Sequence, residues 1–114
     1  MKTPDNAPTE CRQVQSVLDT VGRRWSGAIL VAASRGARRF VDFRRTVPGI
    51  SDRMLSVRLK ELETLGLLRR EVIPSTPVQI LYEPTALGRE LLHVLQPLFR
   101  WGEKHLDEVS AATP

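Results

Sequence analysis

Apolar residues recur along this chain at intervals that change from segment to segment, and each interval predicts an element. Val14, Val17, Leu18 and Val21 fall at helical spacing and stop at Gly22, which predicts a helix over residues 11–22. Residues 24–35 read as a second helix, with Trp25, Ala28, Ile29, Ala32 and Ala33 inward and Gly36 beyond its end. Gly27 inside it costs about 1 kcal/mol relative to Ala, which points to close helix packing or room for a ligand. Residues 38–40 read as a short edge strand leading into the next turn. Phe40, Phe43 and Val47 then share one face of a short helix that ends at Pro48-Gly49. Ser51 is a suitable N-cap for the helix that follows. Leu55, Leu59 and Leu62, at i, i+4 and i+7, define its buried stripe, and Gly66 closes it.

Beyond Gly66 the pattern changes. Residues 67–73 and 78–81 are rich in β-branched residues and leucine and flank Pro74-Ser75-Thr76-Pro77. They predict a β-hairpin with a stiff tip. Pro84-Thr85 opens a long helix reaching about residue 109, with a kink expected at Pro97. This helix carries two apolar seams. Leu87, Leu91, Val94, Leu98, Trp101 and His105 form one; Leu92, Leu95, Phe99, Leu106 and Val109 form the other. One seam can cover the domain's own core. The other suits a partner helix, most simply the same helix of a second subunit, so a homodimer is expected. Val14, Leu18, Leu91, Leu95, Leu98, Trp101 and His105 are its candidate interface residues.

A chain of 114 residues makes one domain. Residues 1–10 read as a flexible arm, 11–109 as the folded unit and 110–114 as a frayed tail. No apolar run approaches the roughly 18 residues needed to span a bilayer, and residues 1–9 lack a signal-type apolar stretch, so a cytoplasmic protein is expected. The single Cys11 excludes a disulfide within one chain and any multi-cysteine metal site; His93 and His105 lack partners at ligand spacing. No acid pair, Ser-His-Asp or Cys-His arrangement or Gly-rich phosphate loop is present, so neither an enzyme nor a cofactor is expected.

Charge sharpens this picture. Residues 35–70 hold ten Lys/Arg against four Asp/Glu, a local balance of +6, while the rest holds seven against nine, a balance of −2. Helix, turn, helix and hairpin on a basic stretch is the plan of a mainly α winged helix-turn-helix domain that sits on double-stranded DNA, with N- and C-terminal dimerisation helices. With Leu55, Leu59 and Leu62 inward, Arg53, Val57, Lys60 and Thr64 face outward, flanked by Ser56 and Met54. Ser51, Arg53, Met54, Ser56 and Val57, near the start of the helix, are the candidates for base edges. Arg can pair with guanine in bidentate fashion and Val can pack on a thymine methyl. Arg38, Arg39, Arg44, Arg45, Lys60, Arg69 and Arg70 are candidate phosphate contacts, which supply affinity without reading sequence. Arg58 lies near the buried stripe, where it holds either Glu61 or a phosphate.

The chain resembles the HxlR family of bacterial winged-helix transcription regulators, relatives of the MarR group. The matching residues are Cys11, Gly22-Arg23-Arg24-Trp25, Arg38-Arg39-Phe40, Phe43-Arg44, Pro48-Gly49-Ile50-Ser51, Leu55, Arg58-Leu59, Glu61-Leu62-Glu63 and Gly66-Leu67. Tyr82, Thr85, Leu87-Gly88, Leu91-Leu92 and Trp101-Gly102 continue the match over about residues 11–106. The resemblance implies a homodimer paired through its first and last helices. It implies two recognition helices in successive major grooves of a near-palindromic operator, and control of nearby genes, here expected to be repression, with release by a small-molecule or redox signal. Some members sense electrophiles or oxidants through the cysteine matching Cys11. Gln79 and Leu81 stand where relatives commonly carry a basic residue and a glutamate, and Val57 replaces a polar residue. The alternative is a winged helix used for protein contact without specific DNA binding.

Cys11 also stands out without the resemblance. A thiol in the first turn of a helix feels the positive end of the dipole, Arg12 adds to this and Glu10 opposes it. It is the candidate redox sensor; the alternative is an inert thiol beside the dimer helix.

Overall fold

The computed structural model describes residues 9–111, so most of the expected arm and the end of the expected tail lie outside the described residues. Five helices and one hairpin follow in order: α1 (Thr9–Val21), α2 (Ser26–Ser34), α3 (Phe40–Thr46), α4 (Asp52–Thr64), β1 (Leu68–Ile73), β2 (Gln79–Pro84) and α5 (Ala86–Ala111). Helix α1 therefore begins two residues inside the expected arm, and α5 extends two residues into the expected tail.

Helix α2 sits at the centre and touches α3, α4, α5 and β2. Its Ile29, Leu30 and Ala33 meet Phe43 of α3 and Leu55 and Leu59 of α4 in one buried cluster, completed by Leu68 and Leu92. The ring of Tyr82 on β2 meets Phe43 edge to face at 6.2 Å. Two expectations for this region fail. Ala28 is exposed. The second helix starts at Ser26, because Trp25 takes φ +79° and cannot belong to it.

Residues 38–40 do not form an edge strand. The Asp42 carboxylate accepts from the amides of Arg38 (3.2 Å) and Arg39 (3.0 Å), which starts a helix at Phe40 in place of a strand. Those two bonds, Arg39 first and Arg38 second, hold the Asp42 pKa below its ordinary value. What remains of the strand is one main-chain bond, from the Tyr82 amide to the Arg38 carbonyl at 2.7 Å.

The turn between α3 and α4 runs through Pro48 and Gly49, whose φ of +85° is a conformation glycine adopts without a Cβ penalty. Ser51 caps α4 as expected, its Oγ accepting from the Met54 amide at 3.1 Å. At the other end of α4 the Gly66 amide donates to the Glu63 carbonyl and the Leu67 amide to the Leu62 carbonyl, which closes the helix and aims the chain into β1.

Strands β1 and β2 pair antiparallel, Leu68 opposite Pro84 through Ile73 opposite Gln79. The second strand starts one residue later and ends three residues later than the pattern predicted. Thr85 then fastens α5: its Oγ1 donates to the Gly66 carbonyl (2.5 Å) and accepts from the Gly88 amide (3.0 Å). A Cβ at Gly88 would run into the Leu67 carbonyl oxygen, so only glycine lets α5 lie this close to the end of α4. Helix α5 continues through Pro97.

The two seams of α5 separate. Leu92 is buried in the core and Leu95 and Phe99 are half-buried, so the first part of that seam serves the domain itself, while Leu106 and Val109 further along are exposed. Val94, Leu98 and Trp101 remain 60%, 55% and 51% exposed. Helix α1 buries none of its residues, and Val14, Val17 and Leu18 are exposed with them. Among the described residues no helix is long and apolar enough to cross a membrane.

Candidate nucleic-acid interface

Helix α4 is held from below by Leu55, Leu59 and Leu62, all fully buried. That stripe fixes the rotation of the helix, and the opposite face follows from helical geometry. Ser51, Arg53, Ser56, Val57 and Lys60 are all exposed. Among the described residues the side chains of Arg53 and Lys60 make no hydrogen bond or ion pair within the chain, which leaves both available to an outside partner. Val57 is exposed although apolar, as a residue packing on a thymine methyl would be. Met54 differs from its expected place on the outer flank: it is half-buried and packs against the core.

The expected phosphate cations divide into three groups. Arg45 and Arg70 are exposed, and Arg70 stands opposite Tyr82 on the hairpin. Arg39, Arg44 and Arg69 are exposed and lie against polar neighbours: Arg39 against Gln79 Oε1 at 3.0 Å, Arg44 against Asp52 at 3.2 Å and Arg69 against Glu83 at 2.6 Å. Exposed pairs of this kind contribute only about 0–1 kcal/mol, so a phosphate can take these cations over.

Arg38 and Arg58 form the third group, whose guanidiniums find partners within the fold. Arg38 Nη1 donates to the carbonyls of Ala33 (2.6 Å) and Ala37 (2.8 Å), satisfying the end of α2. Arg58 has only 14% of its side chain exposed; its Nε donates to the Arg24 carbonyl at 2.9 Å and its Nη1 to Glu61 at 3.2 Å. Of its two expected alternatives, Arg58 takes Glu61. These partners are 34 residues apart for Arg58 and Arg24, a distance that no local spacing rule reports.

Of the expected interface residues, Val14, Leu18, Leu98 and Trp101 are exposed, while Leu91 packs partly into the domain's own core. The His105 ring lies beside that of Trp101, tilted by 40° with centroids 5.4 Å apart, and its Nδ1 lies 3.2 Å from Glu108. Cys11 is exposed in the first turn of α1. Among the described residues no three His, Cys, Asp or Glu side chains come together as a metal site.

Helix α3, a tight turn, helix α4 with its polar edge outward and a hairpin that carries Arg69 and Arg70 define a winged helix-turn-helix domain. The chain belongs to the HxlR-like helix-turn-helix family, whose model matches residues 20–110. It is 38% identical over 96 residues to the HTH-type transcriptional regulator YodB of Bacillus subtilis, covering 84% of this chain and 86% of that protein. It is 39% identical over 97 residues to the uncharacterized HTH-type transcriptional regulator YtfH of Escherichia coli, covering 85% of this chain and 77% of that protein. Among solved structures it superposes on the redox regulator HypR in its reduced form with a TM-score of 0.79 and 35% identity, covering 87% of this chain and 98% of that one. The family is one of DNA-binding transcriptional regulators, not enzymes.

Proposed function

We propose that this protein is a homodimeric, sequence-specific repressor that binds an inverted-repeat operator. Helix α4 enters the major groove and reads base edges through Arg53, Ser56 and Val57, with Ser51 at the groove entrance. Lys60, Arg39, Arg44, Arg45, Arg69 and Arg70 hold the phosphates. The observation that carries this reading is the face of α4: three leucines fully buried behind it and an exposed Arg53 and Lys60 in front with no partner among the described residues. The second copy is recruited by the apolar faces of α1 and α5, which the domain itself leaves uncovered.

A mobility-shift titration tests it, using DNA from upstream of the protein's own gene against random DNA of equal length. Specific binding in the nanomolar range, at least about 10³-fold tighter than to random DNA and falling steeply with salt, is expected. Equal affinity for the two duplexes would overturn the reading and favour a protein-contact module.

Release by oxidants is supported by the exposure of Cys11 in the first turn of α1. It is supported also by the relatives, since HypR has been solved in reduced and oxidised forms and YodB after diamide treatment. Diamide is expected to weaken operator binding by the wild type and to leave Cys11→Ser unchanged; equal responses would remove Cys11 from the mechanism.

A further inference from the structure

Three consecutive residues after α1 each touch the helix-turn-helix unit. The Arg23 Nη1 donates to Glu61 Oε1 of α4 at 2.8 Å. The Arg24 carbonyl accepts from Arg58 Nε of α4 at 2.9 Å, and the Arg24 guanidinium lies 4.7 Å from the centroid of the Trp25 ring. The Trp25 ring lies against the α3–α4 turn, its Cη2 3.6 Å from where a Cβ on Gly49 would be. Trp25 achieves this at φ +79°, a left-handed conformation that is unfavourable for a non-glycine residue and persists only where surrounding contacts impose it.

Glu61 is the centre of this arrangement. It accepts from Arg23, which comes from the α1 side, and from Arg58, which comes from its own helix. Arg23 and Glu61 both line a cleft of about 380 Å³ that also takes in Asp19 and Thr20 at the end of α1 and Lys60 on α4. The two helices are therefore not packed together here; polar bonds span the gap between them. Helix α1 buries none of its own residues and otherwise faces the domain across an open apolar groove, its Val17 and Val21 beside Leu65, Leu87 and Leu91, so this corner supplies the polar bonds at the point where α1 joins the domain.

We propose that Glu61, with Arg23 and Arg58, is a positioning clasp that sets the angle between α1 and the recognition helix, and thereby the separation of the two recognition helices in the dimer. This rests on the operator-binding reading above. A dimer reads half-sites about one helical turn apart, so an error in that angle appears as a loss of preference for one half-site spacing. Glu61 and Arg58 touch no DNA in this arrangement; they act through α4.

The test uses the full-length protein and an inverted-repeat duplex that the wild type selects from a randomised library. That duplex is then remade with one or two base pairs added or removed between its half-sites. Wild type is expected to lose about tenfold in affinity or more when the spacing is altered. Glu61→Gln is expected to lose about tenfold on the selected spacing while staying within about twofold of wild type on the altered ones, so that its preference flattens. If circular dichroism shows Glu61→Gln unfolded, Arg23→Gln decides, because Arg23 is 56% exposed and contributes nothing to the core. Variants that keep the wild-type spacing preference, with or without a uniform loss of affinity, overturn the clasp. A wild type that enriches no inverted repeat overturns the operator reading, and the clasp's role with it; a wild type that enriches one while the variants discriminate as it does overturns the clasp alone.

Discussion

Helices α4 and α5 both bury one apolar stripe, yet they finish their outer faces in opposite ways. Helix α4 turns Arg53, Ser56 and Lys60 outward, a surface complete in water and suited to a polyanion. Helix α5 turns out Leu87, Val94, Leu98 and Trp101, each more than half exposed, which is a surface that water does not complete. On the function proposed above, the two faces serve different partners. The charged edge of α4 can meet a ligand that comes and goes; the apolar edge of α5 calls for a lasting neighbour.

The sharpest way to break this comparison is to truncate the buried side of one helix and charge the exposed side of the other. Leu59→Ala removes a fully buried side chain and is expected to cost about 2–5 kcal/mol, seen in denaturant titrations as a loss independent of protein concentration. Leu98→Glu should leave the monomer folded and act on association instead. Placing a carboxylate in an apolar interface is expected to weaken the dimer by about 2 kcal/mol or more, roughly 30-fold, with sedimentation moving to the monomer at micromolar concentration. A Leu98→Glu protein that sediments like wild type would contradict the assignment of α5.

A smaller effect is expected at the start of α3. Asp42→Asn removes the charge that the Arg39 and Arg38 amides hold and should cost about 1 kcal/mol near neutral pH. The Asp42 pKa is depressed in the folded chain, so its contribution is present above the unfolded carboxylate value of about 3.9 and is lost as pH falls through the folded value. Thermal unfolding of wild type and variant should therefore differ at pH 7 and converge below about pH 4. A gap that stays constant with pH would assign the effect to shape and not to charge.

Much of α4 was legible in the sequence, because Leu55, Leu59 and Leu62 at helical spacing fix both the helix and its rotation, and Ser51 marks its start. The two seams of α5 were legible for the same reason, though only packing shows that Leu92, Leu95 and Phe99 face the core. Spacing left Arg58 between Glu61, three residues on, and a phosphate; what it missed is the Arg24 carbonyl, 34 residues away, which Arg58 also takes. Nor does any pattern of spacing signal that Arg38 will turn back to the carbonyls of Ala33 and Ala37. The strand expected at residues 38–40 lost to Asp42, whose carboxylate captures two amides and begins a helix. Trp25 shows a third kind of limit: a left-handed tryptophan has no sequence signature and exists because the ring fits against the α3–α4 turn.

Affinity measured base pair by base pair tests the central claim, that the outer edge of α4 reads sequence. Wild type and Arg53→Ala are titrated against the selected operator and against versions with each base pair replaced in turn. Arg53→Ala is expected to lose about 1–3 kcal/mol on the operator and to become indifferent to one position in each half-site, with the remaining positions still discriminated. A variant that binds as wild type does, or weakens equally on every duplex, would contradict it.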